Sequence, residues 1–128
     1  MGKNKLFVVG EYTEVLNLAT GQSLPCGPIY QSVGLRVHIQ KRHPDELANL
    51  DHVTEVIAFP DYVGKNPNEA DSAEFVKVLD KNVVVCVKMD KKADYLYVSS
   101  VYPISAAKLR NRLLNGRLKK MSDLRQQD

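Results

Sequence analysis

The sequence predicts an α+β domain on three observations. Three β-rich runs joined by short polar connectors fill residues 75–102. Helix-type caps and apolar spacings occupy residues 29–58, and a serine-capped, glycine-stopped segment follows at 105–116. Helices segregated from an antiparallel meander make this class. The chain has 128 residues, with 44% hydrophobic and 26% charged content, the values of a single globular domain.

Leu6 to Val9 is an apolar run ended by Gly10 and reads as a strand. Val15 to Thr20, stopped by Gly21, reads as a second strand and a turn. Leu24-Pro25-Cys26-Gly27-Pro28 is loop by composition. Ile29 to His43 fits two patterns. Leu35, Val37 and Ile39 alternate with Arg36, His38 and Gln40, as in a strand. Ser32 as N-cap and Pro44 as stop instead frame a helical length, which is the favoured reading. The choice matters because a helix puts His38, Lys41 and Arg42 on one face, whereas a strand sends His38 and Lys41 to opposite sides.

Pro44 to Leu50 reads as a short helical piece with acids at its start. Asp51 is expected to cap a third, Asp51 to Ala58, with Val53, Val56 and Ile57 as its apolar stripe and His52 in its first turn. Phe59 to Val63 is extended, and Lys65 to Ser72 is loop. The meander follows as Phe75–Leu79, Val83–Met89 and Tyr95–Tyr102. In the middle run Val83, Val85, Val87 and Met89 share one face, and Val84, Cys86 and Lys88 the other. In the last run Leu96, Val98, Ser100 and Tyr102 are expected to share a face, with Ser99 opposite. Ser105 caps a helix, Ala106 to Asn115, closed by Gly116.

No apolar run approaches the ~20 residues of a membrane span. The basic start precedes only Leu6 to Val9, too short for a signal-peptide core, so the expectation is a soluble cytoplasmic protein that does not engage a membrane. Cys26 and Cys86 have no metal-type spacing and read as buried or partly buried free thiols; no metal or other cofactor is expected. Net charge is only +3, but Lys108 to Asp128 holds seven basic residues against two aspartates. A basic end on a slightly acidic body fits a nucleic-acid footprint, and equally a solvated helix face with a polar tail.

Two of the three histidines, His38 and His43, flank Lys41 and Arg42. A proton carrier beside fixed positive charge suits chemistry at a phosphate. Asp61, Glu69, Asp71 and Glu74 lie in or beside a loop without a spacing that aims two at one point, which disfavours paired-carboxylate hydrolysis.

Ile29-Tyr30-Gln31-Ser32, His38-Ile39, Lys41-Arg42-His43-Pro44, Pro60-Asp61, Tyr95 to Tyr102 and Asn115-Gly116-Arg117-Leu118-Lys119 together resemble the phage-type nuclease domains of the barnase–EndoU–colicin–RelE superfamily. The resemblance runs from about Ile29 to Lys120. It divides the chain into an N-terminal strand and loop extension (1–28), the nuclease-like domain (29–120) and a polar tail (121–128). It implies N-terminal helices packed on a four-stranded antiparallel sheet with a C-terminal helix, and it places His38 on the first helix.

It further implies a metal-independent ribonuclease, in which the substrate's 2′-hydroxyl attacks the phosphorus. The expected catalytic set is His38 as base or acid with His43 as the alternative proton carrier, Lys41 or Arg42 as phosphorane stabiliser, and Ser100 and Tyr102 as positioning groups. Arg42, Lys88, Lys108, Arg117 and Lys119 are the expected phosphate contacts. The expected partners are RNA, with tRNA among the candidates, and a neutralising antitoxin or immunity protein if the nuclease is a toxin of a phage or mobile element. Two other readings stand beside this one: a non-catalytic RNA-binding module, and a phage accessory protein that uses the sheet to hold a partner.

Overall fold

The valine-rich meander sits at the centre of the structure, a computed structural model that describes residues 5–125. Strands β4 (Ser72–Val78), β5 (Asn82–Asp90) and β6 (Tyr95–Ile104) pair antiparallel in sequence order. Val83, Val84, Val85 and Val87 of β5 are all buried, as a strand covered on both faces must be. Each such side chain contributes about 2 kcal/mol on leaving water.

The sheet is larger than the expected four antiparallel strands. Among the described residues it has seven and is mixed, in the order β1 (Leu6–Tyr12), β2 (Gly27–Ser32), β6, β5, β4, β3 (Tyr62–Gly64) and β7 (Leu118–Lys120). Strand β1 pairs antiparallel with β2, and β2 runs parallel to β6. At the other edge β3 lies between β4 and β7. The additional strands come from the N-terminal segment and from two three-residue stretches too short to show a period.

Val15 to Thr20 is not a strand but part of helix α1 (Glu14–Thr20). Extended Thr13 opens it, left-handed Gly21 closes it, and Leu16 and Ala19 are buried one turn apart. The Ile29–His43 ambiguity resolves by division: strand up to Ser32, then helix α2 (Val33–Arg42). The Ser32 hydroxyl accepts from the Leu35 N–H at 3.2 Å, so the cap read from sequence is the switch between the two. A 3-10 helix covers Pro44–His52, which moves the start of helix α3 (Val53–Ala58) two residues past the expected cap Asp51. Helix α4 (Ala106–Leu114) is capped by the Ser105 hydroxyl, and α5 (Met121–Arg125) buries Met121 and Leu124. Cys86 is partly buried as expected, whereas Cys26 is exposed because it lies in the loop before β2.

The two faces of the sheet differ. On the first, Phe75, Val85 and Val101 meet Leu35 and Ile39 of α2 and Val53 and Val56 of α3 in the main core. On the second, Val76, Val84 and Ile104 meet Leu109 of α4 and Leu118 of β7 in a smaller cluster. The rest of that second face is left to polar side chains.

Candidate active site

Residues Glu74, Cys86 and Ser100 form one cross-strand row on the second face. One row on, Val76, Val84 and Tyr102 line up under α4. The site therefore begins where the α4 cluster stops. A pocket of about 300 Å³ opens there, lined among others by Asn66, Glu69, Glu74, Lys88, Ser99 and Tyr102.

A bulge shapes its floor. The register shifts between Cys86 and Val87, so Ser99 and Ser100 both oppose Cys86. The expected common face of Leu96, Val98, Ser100 and Tyr102 is broken at this point. Leu96 and Val98 belong to the main core, Ser100 and Tyr102 to the pocket, and Ser99 joins the pocket rather than lying opposite. The extra residue inverts the alternation. The Ser99 hydroxyl donates to the Cys86 carbonyl at 3.2 Å.

Glu74 is the centre of the constellation, with its side chain 2% exposed. Arg117 donates Nε to Oε1 at 2.8 Å and Nη2 to Oε2 at 2.7 Å, a two-pronged grip. Arg112 Nη1 stands 3.6 Å from Oε2 and donates to the Tyr102 hydroxyl at 3.3 Å; Tyr102 in turn donates to Oε2 at 3.4 Å. The Arg112 guanidinium lies 5.9 Å from the Tyr102 ring centroid. Cys86 Sγ is 3.8 Å from both Glu74 Oε2 and the Tyr102 oxygen. At the far wall Lys88 pairs with Glu69 at 3.1 Å.

Local sequence explains how the arginines arrive. Arg112 comes from the last turn of α4. Left-handed Gly116 (φ 85°) turns the chain back, and the Asn115 side chain accepts from the Arg117 N–H at 2.9 Å. Gly64 then packs so closely on Arg117 that a Cβ there would run into its carbonyl oxygen.

Burial pushes the Tyr102 phenol up to about 12, reinforced by Cys86, so the hydroxyl stays protonated through the neutral range. Burial likewise pushes the Cys86 thiol up, with Glu74 adding to it, which leaves a poor nucleophile. The hydrogen bonds to Glu74 push Arg117 up, so its charge is fixed.

Of the residues expected from sequence, Lys88, Ser100, Tyr102 and Arg117 come together here. Lys119 lines an adjoining depression of about 490 Å³ with Lys65 and Arg117, and Arg117 reaches from there to Glu74 of the first pocket. Lys108 is exposed in the first turn of α4. His38, Lys41, Arg42 and His43 are exposed on α2 and at its C-cap, in the layer that packs on the other side of the sheet. They are not among the residues lining this pocket.

Glu74, Arg112 and Ser99 are the members that sequence reasoning missed. Glu74 does not lie beside a loop, because β4 begins at Ser72, three residues before the apolar run. Extending the period of two back from Val76 would have placed Glu74 on that face.

No curated protein and no solved structure matches the chain. A family model described as phage-Barnase-EndoU-ColicinE5/D-RelE like nuclease3 matches residues 7–111, from β1 through most of α4, including every residue that lines the pocket but not Arg112 or Arg117, which hold Glu74. A protein whose fold carries this match over most of its length is a member: the chain belongs to the phage-Barnase-EndoU-ColicinE5/D-RelE like nuclease family.

Proposed function

We propose that this nuclease cleaves RNA by attack of the substrate's own 2′-hydroxyl, with the Glu74 pocket as the reaction centre. The observation that carries the proposal is the buried Glu74 carboxylate held by Arg117 and Arg112 beside a neutral Tyr102. A carboxylate, a hydroxyl donor and two guanidinium groups in mutual contact at one pocket are the kinds of group that a phosphoryl-transfer site uses.

Glu74 takes the proton of the 2′-hydroxyl as the 2′-oxygen bonds to phosphorus. Arg112 and Arg117 hold the charge that builds on the non-bridging oxygens. The bond from phosphorus to the 5′-oxygen breaks, and Tyr102 donates a proton to that oxygen. The products are a 2′,3′-cyclic phosphate and a 5′-hydroxyl. Ser99, Ser100 and Lys88 contact the phosphate and ribose from the opposite wall. The carboxylates in the pocket are paired with cations, Glu69 with Lys88 and Glu74 with Arg112 and Arg117. A deoxy substrate lacks the 2′-hydroxyl nucleophile and is expected to survive.

The test is cleavage of cellular RNA in excess chelator by the wild-type chain and by Glu74→Gln. Cleavage by the wild type with cyclic phosphate ends, reduced at least about a hundredfold in the variant, is the expected result. Equal rates in the two proteins, or cleavage of the matching DNA, would overturn it. A thermal melt of Glu74→Gln separates lost chemistry from lost structure, since Glu74 also ties α4 and β7 to the sheet.

A further inference from the structure

The open face of the sheet does not end at the pocket. Along β6, Tyr97 and then Tyr95 follow the bulge, and Tyr97 lies opposite Lys88, a wall of the pocket. On β2, Tyr30 is in register with Tyr97. All three tyrosines are half-buried. Tyr30 and Tyr95 meet edge to face with centroids 5.7 Å apart, and Tyr95 and Tyr97 do so at 6.1 Å. Such contacts fix ring orientation without using both faces of every ring. Tyr30 and Tyr95 also wall a slot of about 140 Å³, closed by Pro25 and Pro28 and rimmed by Asp94.

We propose that this slot takes a nucleobase of single-stranded RNA that lies about two nucleotide steps from the phosphate in the Glu74 pocket. The inference rests on the reading of that pocket as the cleavage centre and adds how the strand is held. Aromatic faces stack on any base, and the exposed Pro25 and Pro28 add apolar surface to the lining. The slot volume is that of one planar heterocycle. The Asp94 carboxylate is an acceptor that a base N–H edge can meet. Cations lie along the path, Lys88 in an ion pair with Glu69 and Arg117 in one with Glu74. Lys88 stands between the tyrosines and the pocket, and Arg117, Lys119 and Lys65 continue beyond it. Tyr95, which walls the slot, is four residues from Ser99, about 13 Å of strand, comparable to two extended nucleotide steps. The path runs from bases stacked at the β2–β6 end to phosphates gripped at the β7 end. This order suits an unpaired strand, whose bases are free to splay onto the sheet.

The test uses the full chain and a labelled 2′-O-methyl RNA hexamer, which lacks the nucleophile and reports binding alone. Fluorescence anisotropy is expected to show Tyr95→Ala and Tyr30→Ala weakening binding by about tenfold, and Tyr95→Phe binding as the wild type does. Tyr95→Leu keeps apolar bulk without an aromatic face and serves if Tyr95→Ala does not fold. Hexamers with a single abasic position then locate the base. One position is expected to cost the wild type about tenfold and the Tyr95 variant almost nothing. Unchanged binding in Tyr95→Leu, or abasic penalties that are the same in both proteins, would overturn the slot. The cleavage comparison with Glu74→Gln keeps the two readings apart. Glu74-dependent cleavage with no Tyr95 effect overturns the slot alone, whereas Tyr95-dependent binding without any cleavage overturns the reaction and leaves the slot standing.

Discussion

Arg117 grips Glu74 through both carboxylate oxygens, at 2.8 and 2.7 Å, across 43 residues of sequence. The pair ties the turn before β7 to β4, two strands away in the sheet, and fixes the Glu74 carboxylate at the pocket. Lysine cannot reproduce the planar fork. Arg117→Lys is therefore expected to keep the fold, lose about 1–2 kcal/mol of stability, and cut kcat by at least tenfold. A double-mutant cycle of Arg117→Lys and Glu74→Gln, followed by denaturant unfolding, should show strong non-additivity. Additive losses would mean that the two residues act independently.

Tyr102 gives the pocket a pH signature. Its phenol is raised to about 12 by burial, against an ordinary value near 10. The native state therefore holds a proton that the unfolded chain has released between those values. The contribution to stability is complete below pH 10, falls as pH rises toward 12, and is gone above it. Denaturant unfolding of the wild type should lose stability across that window faster than Tyr102→Phe does. The phenolate absorbance should show Tyr102 ionising late, alongside Tyr12, which burial also raises. Parallel stability curves for the two proteins would show that Tyr102 is not the group responsible.

The parts of this architecture that sequence reveals are those encoded within one element. The valine alternation of β5, the serine caps of α2 and α4, and the glycine after α4 each declare themselves over ten residues or fewer. What escapes is set by pairing. Nothing local marks β2 as the parallel neighbour of β6, and a strand as short as β7 has no period to detect. The bulge at Ser99 and Ser100 is the sharpest case, since one extra residue exchanges faces and sends Leu96 and Tyr102 to opposite sides. The site itself was half legible. Ser100, Tyr102, Lys88 and Arg117 are named by chemistry and resemblance. Glu74 hides because a carboxylate at the head of an apolar run reads as the edge of a loop until the partner strand is known.

Gly64 tests whether close packing behind Arg117 matters for catalysis. A methyl group there would strike the Arg117 carbonyl oxygen and push β7 away from β3. Gly64→Ala should cost about 1–3 kcal/mol and lower cleavage by the protein that remains folded. Gly10→Ala is the control. Its Cβ would crowd Ile57 in the core between β1 and α3, so it should destabilise without changing the rate per folded molecule. Equal effects of both variants on rate would show that Arg117 placement is not what Gly64 protects.

Cleavage assays can also decide between the two faces of the sheet. His38, Lys41, Arg42 and His43 present a proton carrier and positive charge, but in exposed positions on the helical layer. Glu74, Arg112, Arg117 and Tyr102 present theirs in a linked group whose charged side chains are largely buried, where the same charges are worth more. His38→Ala and His43→Ala, alone and combined, should keep kcat within about threefold, well short of the hundredfold or more expected when an acid–base group is lost. Lys41→Ala and Arg42→Ala should act on KM alone, and only at low salt, because an exposed cation attracts the strand without meeting the reacting atoms. Glu74→Gln should show the reverse, a fall in kcat that salt does not restore. A loss of kcat in the double histidine variant with Glu74→Gln still active would move the reaction centre to α2, and the arginine clamp on Glu74 would then be a tie between α4, β7 and the sheet.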